Sequence, residues 1–404
     1  MSPGKTAATF FKYTSISVTA VVCMYAVLLG LLTTSTFQSH VVYLHAIQMT
    51  WLKDLNVPEN WGFLRNQVTP FYIATPDGER LYSWLILPIE LYRKHELPLV
   101  AEPASLSPDI TSRYAFQLLR DDPEARLILH FHGAGGTVAS GHRVPNYRAL
   151  SAGQPAKIFV LTFDYRGFGR STGTPSEKGL LIDARAVVDW ALNVAGIPQS
   201  RILVFGQSMG TAISVAVSQQ LAAQSPPVVF SGTILVAPFV DVPTLVATYR
   251  VAGTIPILSP LARFPIIFNY LQRFIRDQWP SKDRISQYVH SNEANGQPYW
   301  LTIIHAEDDY DIPWHHTEVV FWHDVNASAL PAGISYDELA ARKQESQVDL
   351  GAAGSVMEWR SRHGIIREEI LKTGLHDVIM GYPVITMAVM RAFESTDPKF
   401  ASWS

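Results

Sequence analysis

Short runs of continuously apolar residues alternate with amphipathic segments through the middle of this 404-residue chain. Four such runs are Arg126–Phe131, Lys157–Phe163, Arg201–Phe205 and Thr233–Ala237. Further along the chain, Tyr299–His305 returns to the strand pattern and Gly364–Leu371 is predicted to be the last strand. Strands that are apolar on both sides and are separated by helices are typical of a parallel sheet covered on both faces. The pattern therefore predicts an α/β fold with a mostly parallel central sheet and helices on both faces.

Two further signals place elements around this sheet. Val68–Ala74 and Arg80–Leu87 are joined by Pro76-Asp77-Gly78, which predicts two strands and a turn ahead of the first parallel strand. A helix is predicted near Ile110–Leu119. Another helix should begin at Thr174-Pro175-Ser176-Glu177, which reads as an N-cap, a proline at the first helical position and a glutamate at the third.

The alternation is interrupted twice. Residues 238–298 contain several prolines among aromatic and aliphatic side chains, and we interpret them as a helical cap inserted into the domain. Its apolar side chains either pack as in ordinary helices, or line an acyl-chain pocket, or touch a bilayer. These side chains are Phe264, Ile266, Ile267, Phe268, Tyr270, Leu271, Phe274 and Ile275. Residues 324–360 are polar and rich in alanine and glycine, which predicts a surface insertion.

The amino-terminal part of the chain carries no formal charge between Lys12 and Lys53. Thr14–Thr34 supplies the ~20 apolar helical residues that a bilayer core requires. A cleaved signal peptide is the alternative, but its apolar region is usually ~7–15 residues and ends in small residues. We expect a cytosolic tail, a transmembrane anchor and a juxtamembrane segment within residues 1–50, followed by one large domain over residues 51–404.

Two further features bear on the membrane interpretation. His40–Leu52 is apolar but too short to span a bilayer, so it either lies in the interface or packs under the domain. With basic residues ahead of the anchor, the large domain is expected on the lumenal side. The sequon Asn326-Ala327-Ser328 fits that side and makes Asn326 a candidate for glycosylation.

Composition excludes several classes of function. With 48% hydrophobic and 17% charged residues the chain is not disordered, and a net charge of −3 gives no electrostatic basis for binding nucleic acid. The lone Cys23 excludes an intrachain disulfide and a zinc site built on thiolates. A G-x-G-x-x-G dinucleotide loop is absent from the sequence. Neither a metal nor a cofactor is therefore expected.

The strongest chemical signal is Gly206-Gln207-Ser208-Met209-Gly210, a G-x-S-x-G pentapeptide. It follows a predicted strand and precedes a helical run, which is the setting that exposes a nucleophilic serine at a sharp turn. Gly206 and Gly210 are expected there because side chains would collide with the neighbouring strand and helix. The alternative role for Ser208 is that of a helix N-cap.

A serine hydroxyl needs a base, and the base needs an orienting acid. In domains that carry a nucleophilic serine at such a strand-to-helix turn, the acid follows the serine in the chain and the histidine follows the acid. Asp308, Asp309 and Asp311 follow the fifth parallel run, and the D-x-x-I-P spacing favours Asp309. Asp308 and Asp311 remain alternative candidates for the acid, and a role as N-cap of the next helix is the other interpretation of either residue. His376 follows the last predicted strand and is the expected base.

An oxyanion hole requires two backbone N–H groups directed at the reacting carbonyl oxygen. Met209 is the expected source of one, because it follows the nucleophile. Ala134, within His132-Gly133-Ala134-Gly135-Gly136 after the first parallel strand, is the expected source of the other. The same glycine-rich segment would also suit a flexible loop or a phosphate nest.

Several blocks resemble one branch of the α/β-hydrolases, the membrane-bound monoacylglycerol and lysophosphatidylserine lipases (the alpha/beta-hydrolase domain-containing twelve group). The blocks are Phe163–Glu177, His132–Gly136 with Gly141–Val144, and His305–Asp309. The similarity covers residues 60–395 and is loosest in the cap and in the 324–360 insertion. Asp164 and Arg166 lie in the first block, where we expect them to hold the loop rather than to react.

This resemblance implies an α/β-hydrolase fold with Ser208, Asp309 and His376 as the catalytic triad. It also implies a single-pass protein of the endoplasmic reticulum that hydrolyses single-chain lipid esters, with the bilayer and the lipid as its partners. A protein acyl-thioesterase, a general carboxylesterase and a peptidase are alternatives within the enzyme class, since all pass through similar tetrahedral intermediates. A catalytically silent scaffold is the alternative outside it, although no member of the triad is missing.

Overall fold

The computed structural model describes residues 3–50, 52–251, 255–256 and 263–403. The strands in this part of the chain are β1 (Val68–Ala74), β2 (Arg80–Ile86), β3 (Arg126–Phe131), β4 (Ile158–Phe163), β5 (Ile202–Gln207), β6 (Gly232–Val236), β7 (Arg250–Val251), β8 (Ile255–Pro256), β9 (Tyr299–Ala306), β10 (Val348–Asp349), β11 (Ser355–Arg360) and β12 (Gly364–Leu371). Ten of them form one sheet in the order β1-β2-β4-β3-β5-β6-β9-β12-β11-β10. The six strands from β4 to β12 are parallel, and the two at each edge are antiparallel.

The predicted mostly parallel sheet is therefore confirmed. Every residue of β3, β4, β5, β6 and β9 is buried, because helices cover both faces. Successive side chains of β3 show this directly. Leu127 and Leu129 pack into one apolar core, whereas Ile128 between them packs into the core on the other face.

The α-helices in the described ranges are α1 (Pro3–Leu32), α2 (Ser35–Tyr43), α3 (Ile89–Lys94), α4 (Glu96–Ala101), α5 (Tyr114–Asp121), α6 (Arg143–Ser151), α7 (Glu177–Asp189), α8 (Met209–Ala222), α9 (Val242–Thr248), α10 (Pro265–Gln272), α11 (Ser281–Asn295), α12 (His315–Ser328), α13 (Tyr336–Ser346) and α14 (Pro383–Thr396). Helices α6 and α14 cover one face of the sheet, and α7 and α8 cover the other. The serine, histidine and aspartate of the predicted triad follow β5, β12 and β9, so they meet at the carboxyl ends of parallel strands.

The start of α7 differs from the prediction by two residues. Its N-cap is Ser176, whose hydroxyl accepts a hydrogen bond from Gly179 N at 3.1 Å, and not Thr174. Glu177 consequently occupies the first helical position, and its carboxylate accepts a hydrogen bond from Trp279 N at 3.0 Å. Glu177 thus joins α7 to Trp279, in the segment between α10 and α11, and it does not complete a capping box.

The two predicted insertions are also shorter in the structure. The cap consists of α9, the β7–β8 hairpin and α10, while residues 252–254 and 257–262 of the predicted cap lie outside the described residues. Helix α11 belongs to the domain instead, because its Ile285 and Val289 pack in the core with α8 and α12. In the 324–360 segment, β10 and β11 extend the sheet beyond β12, so only its middle forms a surface excursion.

The amino-terminal region begins with one long helix. Phe10–Leu32 of α1 is long and apolar enough to cross a membrane. The segment that follows α1 packs against the domain. Tyr43, at the end of α2, is fully buried in the main core, so the expectation that His40–Leu52 packs under the domain is correct for this residue. The domain therefore begins before residue 51.

Candidate active site

Ser208 lies at the turn between β5 and α8 and has φ of 52° and ψ of −122°. A positive φ is unfavourable for a residue with a side chain, so the surrounding structure must hold this conformation in place. One contact that holds it is the hydrogen bond that the Ser208 amide donates to Val236 O of β6 at 2.9 Å. Although Ser208 is the N-cap residue of α8, its side chain makes no capping hydrogen bond. Ser208 therefore occupies the N-cap position without capping the helix through its side chain, which leaves the hydroxyl free to face the cavity.

The two flanking glycines are required by close backbone packing. A Cβ at Gly206 would lie 2.6 Å from both Gly210 O and Ser214 Oγ of α8. A Cβ at Gly210 would overlap the carbonyl group of Phe131 at the end of β3. The steric reason given by the sequence pattern thus has an identified neighbour on each side of the turn.

Asp309 and His376 are joined by a hydrogen bond of 2.7 Å between Asp309 Oδ2 and His376 Nδ1. The same oxygen contacts His305 Nε2 at 3.1 Å. Its other carboxylate oxygen accepts hydrogen bonds from the backbone amides of Asp311 and Ile312, at 2.9 and 3.0 Å. Asp309 is therefore held by four groups, and the Nε2 edge of His376 remains available to the cavity. Among the described residues, no hydrogen bond yet joins Ser208 to His376, although both line that cavity; such contacts often tighten only when substrate binds.

The charges of this pair favour its orienting role. Burial opposes ionisation of Asp309, but the hydrogen bonds from His305 and His376 outweigh it and hold the pKa of the carboxyl well below its usual range. Burial likewise opposes charging of His376, yet the hydrogen bond to Asp309 prevails and raises the pKa of the imidazole above its usual range. Burial lowers the pKa of His305, which stays neutral. The arrangement thus stabilises an imidazolium at His376.

The two competing aspartates occupy other positions. Asp308 Oδ1 accepts hydrogen bonds from the backbone amides of Gly374 and Leu375, each at 2.8 Å. It therefore fixes the loop that presents His376. Asp311 lines the cavity without a direct hydrogen bond to His376, and burial raises the pKa of its carboxyl.

The glycine-rich loop after β3 is held from two sides. Gly135 and Gly136 have φ of 65° and 70°, values that only glycine adopts without strain. Their amides donate to Tyr43 O and Ile47 O, at 2.8 and 2.5 Å, in the segment that follows α2. From the other side the buried Arg143 donates to Gly133 O, Gly135 O and Thr137 O.

These contacts leave the two expected oxyanion donors at the wall of the cavity. Ala134 and Met209 both line it together with Ser208. Met209 is the first residue of α8, where helix geometry leaves the amide without an intrahelical acceptor.

Several of these positions were not predicted from the sequence. His305 ends a buried strand and looks like an ordinary core residue, and Arg143 was noted only as part of a similar block. The contribution of Tyr43 O and Ile47 O is made by backbone carbonyls, which leave no signal in residue type.

Asp164 and Arg166 do not reach the cavity. Arg166 forms ion pairs with Asp77 and Asp183 at 2.8 and 2.7 Å, and this joins the β1–β2 turn to α7. Asp164 is fully buried and accepts a hydrogen bond from Val138 N at 2.7 Å. Burial raises the pKa of Asp164 to about 7. Both residues therefore hold the loops around the site, as expected.

Asn326 lies within α12 and is half-buried, and its amide oxygen accepts a hydrogen bond from Ile334 N at 3.0 Å. The free exposure on which glycosylation was expected to depend is therefore incomplete. In the part of the chain that is described, no cluster of three or more histidine, cysteine, aspartate or glutamate side chains is arranged to bind a metal ion.

The cavity has a volume of about 540 Å³, within the usual range of small-molecule sites. Ser208 and His376 lie at one part of its wall, and most of the remaining lining is apolar. The apolar lining includes Phe268, Leu271, Phe274 and Ile275 from the cap, together with Val41, Val42, Leu44 and Ile47 from the segment around α2 and Leu29 and Leu32 from α1. Of the eight cap side chains considered from sequence, Phe264, Ile266, Ile267 and Tyr270 do not line it and are exposed.

Residues 127–352 match the family model described as Alpha/beta hydrolase family. This match spans more than half of the chain, and the chain therefore belongs to the alpha/beta hydrolase family.

Within that family it is similar to Lysophosphatidylserine lipase ABHD12 of Rattus norvegicus, with 28% identity over 282 residues that cover 69% of this chain and 61% of the relative. Protein ABHD12B of Homo sapiens is 28% identical over 284 residues, covering 69% and 67% of the two chains. The match thus spans less than two thirds of the length of the first relative. The resemblance inferred from the sequence blocks is confirmed.

Solved structures also align with the chain over most of its length. The Pyrococcus furiosus esterase Pf2001 aligns with a TM-score of 0.46 and 15% identity, covering 85% of this chain and 94% of that one. Est1E from Butyrivibrio proteoclasticus aligns with a TM-score of 0.45 and 15% identity, covering 79% and 95%.

Proposed function

We propose that this protein is a serine hydrolase that cleaves single-chain lipid esters, such as a monoacylglycerol or a lysophospholipid. The observation that carries the proposal is that Ser208 and His376 lie on the wall of one largely apolar cavity, with His376 hydrogen-bonded to the buried Asp309. A polar reacting group beside a long apolar lining suits a substrate with one ester and one acyl chain.

In the proposed reaction, Ser208 Oγ attacks the ester carbonyl carbon while His376 Nε2 takes the hydroxyl proton. Asp309 holds the imidazole in orientation and stabilises its positive charge. The amides of Met209 and Ala134 donate hydrogen bonds to the oxygen that becomes negative. His376 then gives its proton to the departing alcohol, which leaves an acyl group on Ser208. Water, deprotonated by His376, attacks this ester and releases the fatty acid and free Ser208.

The lipid character of the substrate has two supports. The cavity lining is mostly apolar and is long enough to involve the cap, α2 and the end of α1. The similar rat protein is named a lysophosphatidylserine lipase.

The location of the protein is proposed on the same basis. Phe10–Leu32 would anchor the chain in the endoplasmic reticulum membrane, with the short tail in the cytosol and the domain in the lumen. The test is protease protection of sealed microsomes combined with carbonate extraction. The domain should be protected and should stay in the membrane pellet. Digestion of the domain in sealed vesicles would contradict the orientation, and a shortened, extractable form would contradict the anchor.

The activity is tested with purified full-length protein in detergent, given a long-chain monoacylglycerol, lysophosphatidylserine and a palmitoyl thioester. Released fatty acid is measured by mass spectrometry, with Ser208→Ala as the matched control. We expect hydrolysis of the oxygen esters that disappears in Ser208→Ala while the thermal unfolding midpoint is unchanged. Faster turnover of the thioester would favour a thioesterase, and equal release by the variant would contradict the proposal.

A further inference from the structure

Helix α10 of the cap is apolar over most of its circumference, with Asn269 and Gln272 along one polar edge, and only one of its apolar sides is covered by protein. Its inner face, with Phe268 and Leu271, lines the cavity. Its outer face consists of Phe264, just before the helix, and of Ile266, Ile267 and Tyr270, and it is exposed. Ile266 and Ile267 are 88% and 49% exposed. A contiguous exposed apolar face of this kind is typical of a surface that contacts another protein or a membrane, so the outer face requires a covering.

The position of the cap indicates what covers this outer face, because hydrogen bonds join the chain just after α10 to the end of the apolar helix α1. The side-chain amide of Gln38 donates to Leu32 O at 2.7 Å and to Phe274 O at 2.6 Å. Its oxygen accepts a hydrogen bond from Arg276 N at 3.1 Å. One half-buried side chain thus joins the last turn of α1 to the chain just after α10.

A second connection lies next to the first. The hydroxyl of Tyr43 donates to Asp277 Oδ2 at 2.7 Å and accepts from Trp279 Nε1 at 3.3 Å. Because Tyr43 and Trp279 are fully buried, this contact is part of the core rather than a surface encounter. The cap is therefore held beside the point where the apolar helix ends.

The charges around α10 have the distribution of a helix that lies in a membrane interface. Arg263 precedes the helix, Arg273 follows it, and Arg276 comes one turn later; all three are exposed. Arginine side chains at the edge of an apolar face extend to the head-group region and are attracted by anionic lipids.

We propose that the outer face of α10 rests in the bilayer beside α1, so that the cavity opens directly toward the lipid leaflet. The inference rests on the proposed function and adds a route for its substrate. Leu29 and Leu32 of α1 line one side of the cavity, and Phe268 and Leu271 line the other. A single-chain lipid can pass between these two apolar walls and bring its ester to Ser208 without its acyl chain crossing water.

The first test measures contact with the membrane independently of activity. Cys23 is replaced by alanine, and a single cysteine is introduced by Ile266→Cys or, as the control, by Val348→Cys at the far edge of the sheet. Each is labelled with an environment-sensitive dye in full-length protein reconstituted in phosphatidylcholine vesicles. We expect a blue-shifted emission and quenching by spin-labelled lipid for Ile266→Cys only. Equal, water-like spectra at both sites would overturn the proposal.

The second test measures the route. The double variant Ile266→Asp/Ile267→Asp is compared with Val348→Asp/Leu350→Asp, whose replaced side chains are similarly exposed at 56% and 48%. The substrates are a long-chain monoacylglycerol within the same vesicles and a soluble butyrate ester. The cap variant should lose about tenfold or more on the vesicle lipid and retain wild-type rates on butyrate, whereas the control should retain both.

Wild-type turnover of the vesicle lipid by the cap variant would overturn the route. Failure of the proposed function has a different result, since wild-type protein would then hydrolyse neither substrate or only the butyrate ester. The dye measurement still decides membrane contact in that case.

Discussion

The cavity lining makes a quantitative prediction for Phe268, which projects from α10 into the cavity and is only 8% exposed. Phe268→Ala removes a ring that the acyl chain of the substrate would contact. Burial of a phenylalanine side chain contributes about 1.5–3 kcal/mol, and the lower end applies because the ring also packs against protein. A loss of about 1.5 kcal/mol corresponds to roughly tenfold in kcat/KM. A butyrate ester offers only a short acyl chain for this contact and should lose little.

The assay compares kcat/KM for esters of increasing chain length presented in detergent micelles, where contact with a bilayer plays no part. In the wild type each added methylene should improve kcat/KM about fourfold until the cavity is full, since its burial contributes about 0.8 kcal/mol. Phe264→Ala is the matched control, because Phe264 is close in sequence but lies outside the cavity. The ratio of long-chain to butyrate activity should fall tenfold in Phe268→Ala and stay unchanged in Phe264→Ala.

The ratio is insensitive to partial unfolding, which lowers both activities together. Equal losses on long and short esters in Phe268→Ala would mean that the ring supports the fold and not the acyl chain. A wild type that prefers butyrate would refute the assignment of the cavity to lipid.

Three further predictions concern the triad and the loop beside it. Activity should be lost as pH falls through the pKa of His376, since the protonated imidazole is no longer a base, and this acid limb should lie above the usual range for histidine because Asp309 favours protonation; an acid limb below that range would contradict this. Asp309→Asn should lower kcat by about 10⁴-fold and move that limb to lower pH, because the orienting carboxylate is lost. In a matched test, Asp308→Asn should lower kcat far less and leave the limb in place, and the reverse order would identify Asp308 as the acid. Removal of residues 1–34 should spare butyrate hydrolysis in detergent, whereas removal of residues 1–50 should abolish it by releasing the glycine-rich loop; equal activities would refute the loop's dependence on that segment.

The parallel sheet was predictable because its strands are buried on both sides and are therefore apolar throughout. Arg126–Phe131 was placed with its observed bounds for this reason. By contrast, Ser355–Arg360 lies near the edge of the sheet, where only Val356 and Met357 are buried and polar side chains occupy half of the positions. Read alone, such a strand resembles a polar loop, and for this reason residues 324–360 were predicted to form a surface insertion.

The catalytic candidates were predictable from chain order, but the groups that support them were not. Ser208, Asp309 and His376 each follow a recognisable strand. Their supports depend on pairing across long distances in sequence, as between Gly135 N and Tyr43 O. Contacts made through backbone carbonyls can be satisfied by many residue types and therefore leave little trace in one sequence.

The roles of the cap side chains are a third feature that the sequence did not determine. Its side chains were expected to pack, to line a pocket or to touch a bilayer, and composition alone could not separate these roles. The helix α10 divides them by angle around its axis, with Phe268 and Leu271 inward and Ile266 and Ile267 outward. That division depends on the orientation of the helix, which is fixed by Gln38 more than two hundred residues earlier.

The central claim is that Ser208 is the nucleophile, and mapping of a covalent adduct tests it most directly. Full-length protein is treated with a fluorophosphonate, digested, and analysed by tandem mass spectrometry to locate the modified residue. If Ser208 is the nucleophile, we expect one phosphonylated serine, Ser208. We expect no adduct in the Ser208→Ala protein, whose thermal unfolding midpoint should be unchanged. An adduct on a different residue, or equal labelling of the Ser208→Ala variant, would contradict the account.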